Sequence, residues 1–365
     1  MGVSWSRGRS RGNIIVTILL VLGIGFLLMS RFAPRKDSTV SAEFLDPGTN
    51  ARVHDIPVAF SVPTERLWLD MPPESISAIR LDSVLHSPRD VLYQNGTLIV
   101  SDYPVRIFRF DTSGVYLNRF GSGQGFAPGQ LPDYSDVFEH DGAVVVVSPN
   151  GRKLVRFSAE GRVRETAELD FLALYGIPWG DSLLVSALTM SRALPLQVLA
   201  KDGTYGTAFG EEITRFGSGL DIIGRLTSGA DGRIFYLFKY ESTLLELSPQ
   251  GSVTNMIVLS DRQKLESARI EKDANGNATS RAPNPPVTYM DIEFEDGRLY
   301  ISGLDKRTRP YVAFIDVFSV DPWSYLGSIE MSRTVIGLTA DGTTLYAATD
   351  TSIVRIEVPI PVDGF

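Results

Sequence analysis

Asp90, Asp136 and Asp291 are the residues whose type and setting offer the most chemistry in this chain. They stand in Arg-Asp-Val, Ser-Asp-Val and Met-Asp-Ile, each immediately ahead of an apolar run of strand length. Three carboxylates brought to one point suit a hard divalent cation such as Ca²⁺, which accepts several carboxylate and carbonyl oxygens. Arg89, next to the first of them, would neutralise part of such a cluster or receive an anionic ligand. The plainer role is structural: each carboxylate accepts backbone N–H bonds and ties adjoining sheets together.

Other catalytic chemistries are poorly supplied. The chain has no cysteine, which excludes thiolate metal sites, disulfides and a cysteine nucleophile. It has three histidines, His54, His86 and His140, and His140 lies in a Glu-His-Asp-Gly turn. They read as scattered surface residues and not as a zinc set. There is no Gly-x-Ser-x-Gly elbow to expose a nucleophilic serine. Gly121-x-Gly123-x-Gly125 follows a strand without opening a helix, so it is a connector and not a dinucleotide loop. No catalytic residue is nominated, and no cofactor is assigned beyond Ca²⁺ or a similar divalent cation as a candidate.

The elements that must position the aspartates recur along the chain. Hairpin turns fall at Asn95-Gly96, Asp141-Gly142, Gly180-Asp181, Asp231-Gly232, Asp296-Gly297 and Asp341-Gly342. Asn-Gly and Asp-Gly supply the positive φ that two-residue hairpin turns require. Each turn precedes a β-branched or aromatic run: Leu98–Ser101, Ala143–Ser148, Leu183–Ala187, Ile234–Phe238, Leu299–Ser302 and Leu345–Ala348. Second turns fall at Gly114, Gly161, Gly203 and Gly251. A fixed internal order with variable connections is the pattern of stacked propeller blades, which bury their faces on one another. Six turns predict an all-β, six-bladed β-propeller. Its sixth unit, Val335 to Val358, supplies three strands, and Ile56–Val62 is expected to add the missing outer one, with residues 64–82 wrapping the outside.

Residues 119–131, Arg119-Phe120-Gly121 through Pro128-Gly129-Gln130-Leu131, resemble the connector between NHL repeats. The order that follows resembles them as well: Asp136-Val137, Asp141-Gly142, a valine run, then Leu154-Val155-Arg156-Phe157 before Gly161. The match is close over residues 88–161 and looser beyond. NHL-like propellers include both enzymes and binding modules, so the resemblance implies a fold and not a reaction. NHL-like amidating lyases place zinc histidines where inner strands begin; the matching positions are Arg89, Ser135 and Met290, none of them histidine. The Glu-Gly-Pro start of lactonase propellers is absent too.

Charge and hydropathy divide the chain. Residues 1–36 hold six bases and no acid, leaving 29 of the 35 bases against all 43 acids, a formal −14 for the rest. So acidic a body repels phosphate backbones, and nucleic acid is not an expected partner. Gly12 to Ser30 is uncharged and nearly all apolar, long enough to approach the roughly 30 Å hydrocarbon core of a bilayer. Arg31, Arg35 and Lys36 follow it directly, unlike a cleaved signal peptide, although Val40-Ser41-Ala42 fits a cleavage site. The expected organisation is a basic tail at 1–12, a transmembrane signal anchor at 13–30, a linker at 31–52 and the propeller at 53–365. Long domains translocate largely regardless of charge, which places the propeller outside the cytoplasm.

A polar insertion at 260–286 opens with Ser260-Asp-Arg-Gln263, a capping box that predicts a short helix through about Asp273, ended by Asn275-Gly276. Two functional readings follow. The first is a membrane-anchored binding or protein-interaction module for a protein or small-molecule ligand, with Asp90, Asp136, Asp291 and Arg89 at the channel mouth. The second is a metal-dependent lyase or lactonase-like hydrolase using the same mouth. The missing catalytic signature favours the first.

Overall fold

Asn95 and Gly96 take φ of 49° and 75°, the left-handed pair of a tight hairpin; Asp141-Gly142 and Asp296-Gly297 repeat that pair, and in the other three turns Gly180, Gly232 and Gly342 take positive φ of 57°, 81° and 60°. A computed structural model describes residues 56–359 apart from 64, 82–84, 128, 134–135, 189–193, 218, 230, 260–268, 273–277 and 282–284. The transmembrane anchor expected at 13–30 lies outside the described residues. Among the described residues, no helix is long and apolar enough to cross a membrane. Residues 52–365 form one compact unit.

That unit is a ring of six antiparallel four-stranded blades. The innermost strands, in blade order, are Pro88–Gln94, Asp136–His140, Leu172–Trp179, Gly224–Ser228, Val287–Glu295 and Val335–Asp341. The second strands are Thr97–Asp102, Ala143–Ser148, Ser182–Leu188, Ile234–Phe238, Arg298–Asp305 and Thr344–Thr349, and each contains the run expected there. Every residue of Ala143–Ser148 and Ile234–Phe238 is buried. Both faces of a blade are covered by its neighbours, so these strands read as continuous apolar runs and not as alternating ones. The core is accordingly split into six apolar clusters, one between each pair of adjacent blades. The cluster joining Val91, Leu98 and Phe110 of blade one to Tyr346, Ala348 and Ile353 of blade six closes the ring.

The closing strand differs from the one expected. Ile76–Ile79 supplies the outer strand of blade six, pairing antiparallel with Ile353–Glu357 from Ile76 opposite Ile356 to Ile79 opposite Ile353. Val58–Ser61 instead lies parallel to Val253–Val258 as a fifth strand on blade four. Between them, Trp68 bridges to Ser328 of blade five. The segment before blade one therefore runs along the outer edges of blades four, five and six in turn. Both stretches are short and apolar enough for strands, but only Ile76–Ile79 is next to blade one in sequence and can close the ring without a detour. The insertion also departs from its expected helix. Arg269–Lys272, inside the stretch expected to be helical, is a strand paired antiparallel with Ala278–Arg281; residues 260–263 and Asn275-Gly276 lie outside the described residues.

The second set of glycines has a common cause. Each begins its turn with a bond from the glycine N–H to the carbonyl three residues earlier, as from Gly161 to Ser158 at 2.9 Å. Each also touches the preceding blade. A Cβ on Gly161, at φ 81°, would stand 2.2 Å from the Arg119 carbonyl oxygen, and one on Gly114 would stand 2.4 Å from that of Arg80. Gly203 and Gly251 press on Ala167 and Phe209 in the same manner. Blade five breaks the series with Asp321-Pro322, where the neighbouring edge of blade four is already covered by Val58–Ser61. Gly180 has φ 57° but open space around it. Gly161→Ala is thus expected to destabilise the fold by several kcal/mol and Gly180→Ala by about 1–2 kcal/mol, the left-handed backbone penalty alone. Urea unfolding of the two variants checks this; equal losses would show that the interblade contact is unimportant.

Candidate functional site at the channel mouth

All six inner strands begin at the same end of the ring, because every blade is an up-and-down meander followed by the next. The loops joining second to third strands lie at that end too. In blades one, three, five and six the strand pairing slips by one residue just before Asp90, Tyr175, Asp291 and Gly337. Such a bulge re-aims the next side chain. Asp136 opens the inner strand of blade two, and Arg225 is the second residue of that of blade four. Each blade therefore contributes one residue to a ring of Asp90, Asp136, Tyr175, Arg225, Asp291 and Gly337.

The three aspartates do come together, and the cation among them is a guanidinium. Arg225 Nη1 is 2.8 Å from Asp136 Oδ1, and Arg225 Nε is 3.4 Å from Asp291 Oδ1. To reach blade two the side chain crosses blade three, with its guanidinium carbon 4.1 Å from the centre of the Tyr175 ring. The second oxygens tie blades together. Gly176 N–H donates to Asp136 at 2.7 Å, and Leu338 N–H donates to Asp291 at 2.6 Å. Asp90 accepts the N–H of Val91 at 3.0 Å. A Cβ at position 337 would lie 2.7 Å from Asp90 Oδ1, so glycine makes room for that carboxyl. Asp90, Asp136 and Asp291 are 6–8% exposed, which leaves the cluster nearly closed to water.

Three carboxylates against one guanidinium cannot all stay charged in so dry a place. Burial pushes Asp90 well above the ordinary carboxyl range, and Asp136 and Asp291 add to the rise against the pull of Arg225. Burial likewise lifts Asp136 to about 6, opposed by Arg225 and the Gly176 N–H. Burial and then Asp291 raise Glu293, two residues along the same strand, to about 8. Burial pulls on Arg225 as well, but Asp291, Tyr175, Asp136 and Asp90 outweigh it and keep the guanidinium charged.

A carboxyl with a raised folded pKa stabilises the fold below its ordinary pKa, and that contribution is lost as pH rises through the folded value. For Asp136 the window runs from 3.8 to about 6, and for Glu293 from 4.5 to about 8. Calorimetric melting temperatures should therefore fall steadily as pH rises from about 4 to about 8. Asp136→Asn should flatten the lower half of that fall. A melting temperature that rises across this range would contradict the assignment.

Arg89 does not join the cluster. Its exposed side chain lies over Tyr103 at the rim of blade one, 5.7 Å from the ring centre. His86 is exposed, and its backbone N–H donates to Asp102 at 2.9 Å. His140 is buried, not at the surface as expected, and held between Arg156 and the Gly180 carbonyl, both at 3.2 Å. His54 lies outside the described residues. Among the described residues no group of three or more histidines, aspartates or glutamates is set out to hold a metal ion. Arg225 and Tyr175 are the members of the site that the motif reading missed. Gly224-Arg225-Leu226 occupies in blade four the place that Arg-Asp-Val occupies in blade one, and aligning the six inner strands would have found it.

No known family model matches the chain, and no curated protein does. Solved structures do. A putative exported protein of Bacteroides fragilis is 11% identical with a TM-score of 0.55, over 82% of this chain and 99% of that one. A member of the DUF4221 family from Bacteroides vulgatus is 11% identical with a TM-score of 0.54, over 80% and 98%. Virginiamycin B lyase from Staphylococcus aureus is 13% identical with a TM-score of 0.51, over 78% and 99%. At these identities the likeness concerns the propeller fold alone.

Proposed function

We propose that this propeller is a binding module, held outside the cytoplasm by its N-terminal segment, that engages its ligand or protein partner at the end where the channel opens. The observation that carries the reading is the state of the buried acids. Their charge is met by Arg225 of the same chain, and two of them are committed to interblade backbone bonds. Such a cluster builds a rigid floor rather than a reactive centre. The loops above it present exposed aromatic residues: Tyr103 in blade one, Tyr311 in blade five and Phe126 in the connector into blade two, at 53%, 51% and 78% exposure. Exposed apolar surface at a channel mouth is a common mark of a binding site. The exported Bacteroides fragilis neighbour supports an extracytoplasmic setting. The connector motif over 119–131 supports NHL-like kinship.

The lyase neighbours keep a second reading in play. One is described as a histidine-to-alanine variant that is catalytically inactive, with quinupristin. In this chain His140 lies at the opposite end of the ring, against the Gly180 turn, and His86 is held at the mouth only through its backbone N–H to Asp102, which supports binding over that chemistry. The test is photo-crosslinking in membranes from Tyr103 and Tyr311, against control positions Asp296 and Asp341 at the opposite end. Capture confined to the first pair is expected, and equal capture from both ends would overturn the reading. Calorimetric titration with Ca²⁺, Mg²⁺ and Mn²⁺ should give no binding heat; a stoichiometric ion would favour the enzyme.

A further inference from the structure

Lys239 directly follows the second strand of blade four, and its N–H donates to the Ile223 carbonyl at 2.9 Å. That bond holds it at the channel mouth, two residues from Arg225 across the hairpin. Its side chain is half-buried, with the ammonium 5.6 Å from the centre of the Tyr240 ring. Three other bases at this end have acids: Arg225 has Asp136, Arg106 has Asp102 and Arg307 has Asp305. No described carboxylate lies within ion-pair distance of Lys239. Burial lowers its pKa, and the charge of Arg225 lowers it further. An ammonium withdrawn from water is costly to leave without an acceptor.

We propose that Lys239 receives the carboxylate of a small ligand at the channel mouth, with Tyr240 beside it to take the ligand's apolar body. This rests on the reading that ligands enter at this end. One negative charge fits better than two. Beneath Lys239 lie three carboxyls and a single guanidinium, so a dianion meets repulsion that grows with its charge. Arg89, over Tyr103 at the rim, adds attraction for an approaching anion.

The full-length chain in detergent would be titrated at low ionic strength with benzoate, phenyl phosphate and benzylamine. Benzoate is expected to bind more tightly than the other two. Lys239→Gln should weaken benzoate about tenfold, equivalent to about 1.4 kcal/mol, while Lys239→Arg should largely retain it. Benzoate should also slow acetylation of Lys239, read by peptide mapping. Benzoate binding unchanged in Lys239→Gln, no benzoate binding at all, or a preference for benzylamine would each overturn the proposal. Crosslinking from Tyr103 and Tyr311 is an independent readout, so loss of the carboxylate and loss of the channel-mouth reading remain distinguishable.

Discussion

Replacing Arg225 with alanine should remove about 3–5 kcal/mol of stability at neutral pH, a large part of the roughly 5–15 kcal/mol that a domain possesses. The side chain is the cation for Asp136 and Asp291 and acts on Asp90 as well. Without it, three nearly buried carboxyls would have to ionise unpaired or take up protons. The loss should therefore shrink on acidification, because protonated acids no longer need a partner. Asp136→Asn added to Arg225→Ala should recover part of it, since the variant then buries one acid fewer. Arg225→Lys should fall between, keeping the charge but not the planar fork that spans two acids and lies over Tyr175. Urea unfolding at about pH 5 and about pH 7.5 measures all four proteins. A loss in Arg225→Ala below about 1 kcal/mol, equal at both pH values, would show that the cluster is already neutral without the arginine.

Arg66 should be nearly as costly to replace. It belongs to the segment outside blade five, where its side chain is 6% exposed. Nη1 is 3.0 Å from Asp305 Oδ2, and Nε is 3.1 Å from Asp316 Oδ1. The guanidinium carbon stands 3.5 Å from the centre of the Phe314 ring. Asp316 is fully buried and raised by burial, with Arg66 and the Ser328 hydroxyl opposing the rise. Arg66→Met keeps the apolar stem and removes the charge, so about 3–5 kcal/mol should be lost through the stranded acids. Adding Asp316→Asn should return part of that. The loss should also be visible locally: brief proteolysis should cut near Glu65 to Leu69 in Arg66→Met well before the blades open. Resistance equal to that of the unaltered chain would mean that the strand pairings on blades four and six hold the segment unaided.

The blade count was legible because hairpin turns leave a local mark. Five of the six first turns carry an Asx-Gly pair that supplies the positive φ a tight turn needs, and the buried second strands that follow are apolar on both faces. The four recurring glycines were also visible, but their reason was not: it lies in the approach of the preceding blade, a contact between residues some forty positions apart, as Gly161 and Arg119 show. Closure was misassigned because Ile56–Val62 and Ile76–Ile79 have the same strand-like character, and only tertiary pairing tells them apart. The aspartates could be named from their place before inner strands. Their partner carries no motif of its own: Arg225 stands at the shared position of blade four with a different residue type, so only an alignment of the six inner strands points to it, and that it reaches Asp136 and Asp291 is visible in the fold alone.

The course of the segment before blade one decides how the domain would bear a pull. Any tension transmitted through residues preceding Ile56 arrives first at Val58–Ser61, lying lengthwise against the outermost full strand of blade four. It would be resisted in shear by several backbone bonds acting at once, including Val62 N–H to the Val258 carbonyl at 2.8 Å. Only after that pairing slid, and after Arg66 left its two acids, would the load reach Ile76–Ile79 and threaten to unzip the ring. The fold thus carries two sacrificial attachments in series ahead of its closure, so a drag on the chain's leading end would be spent on the rim before it could open the channel.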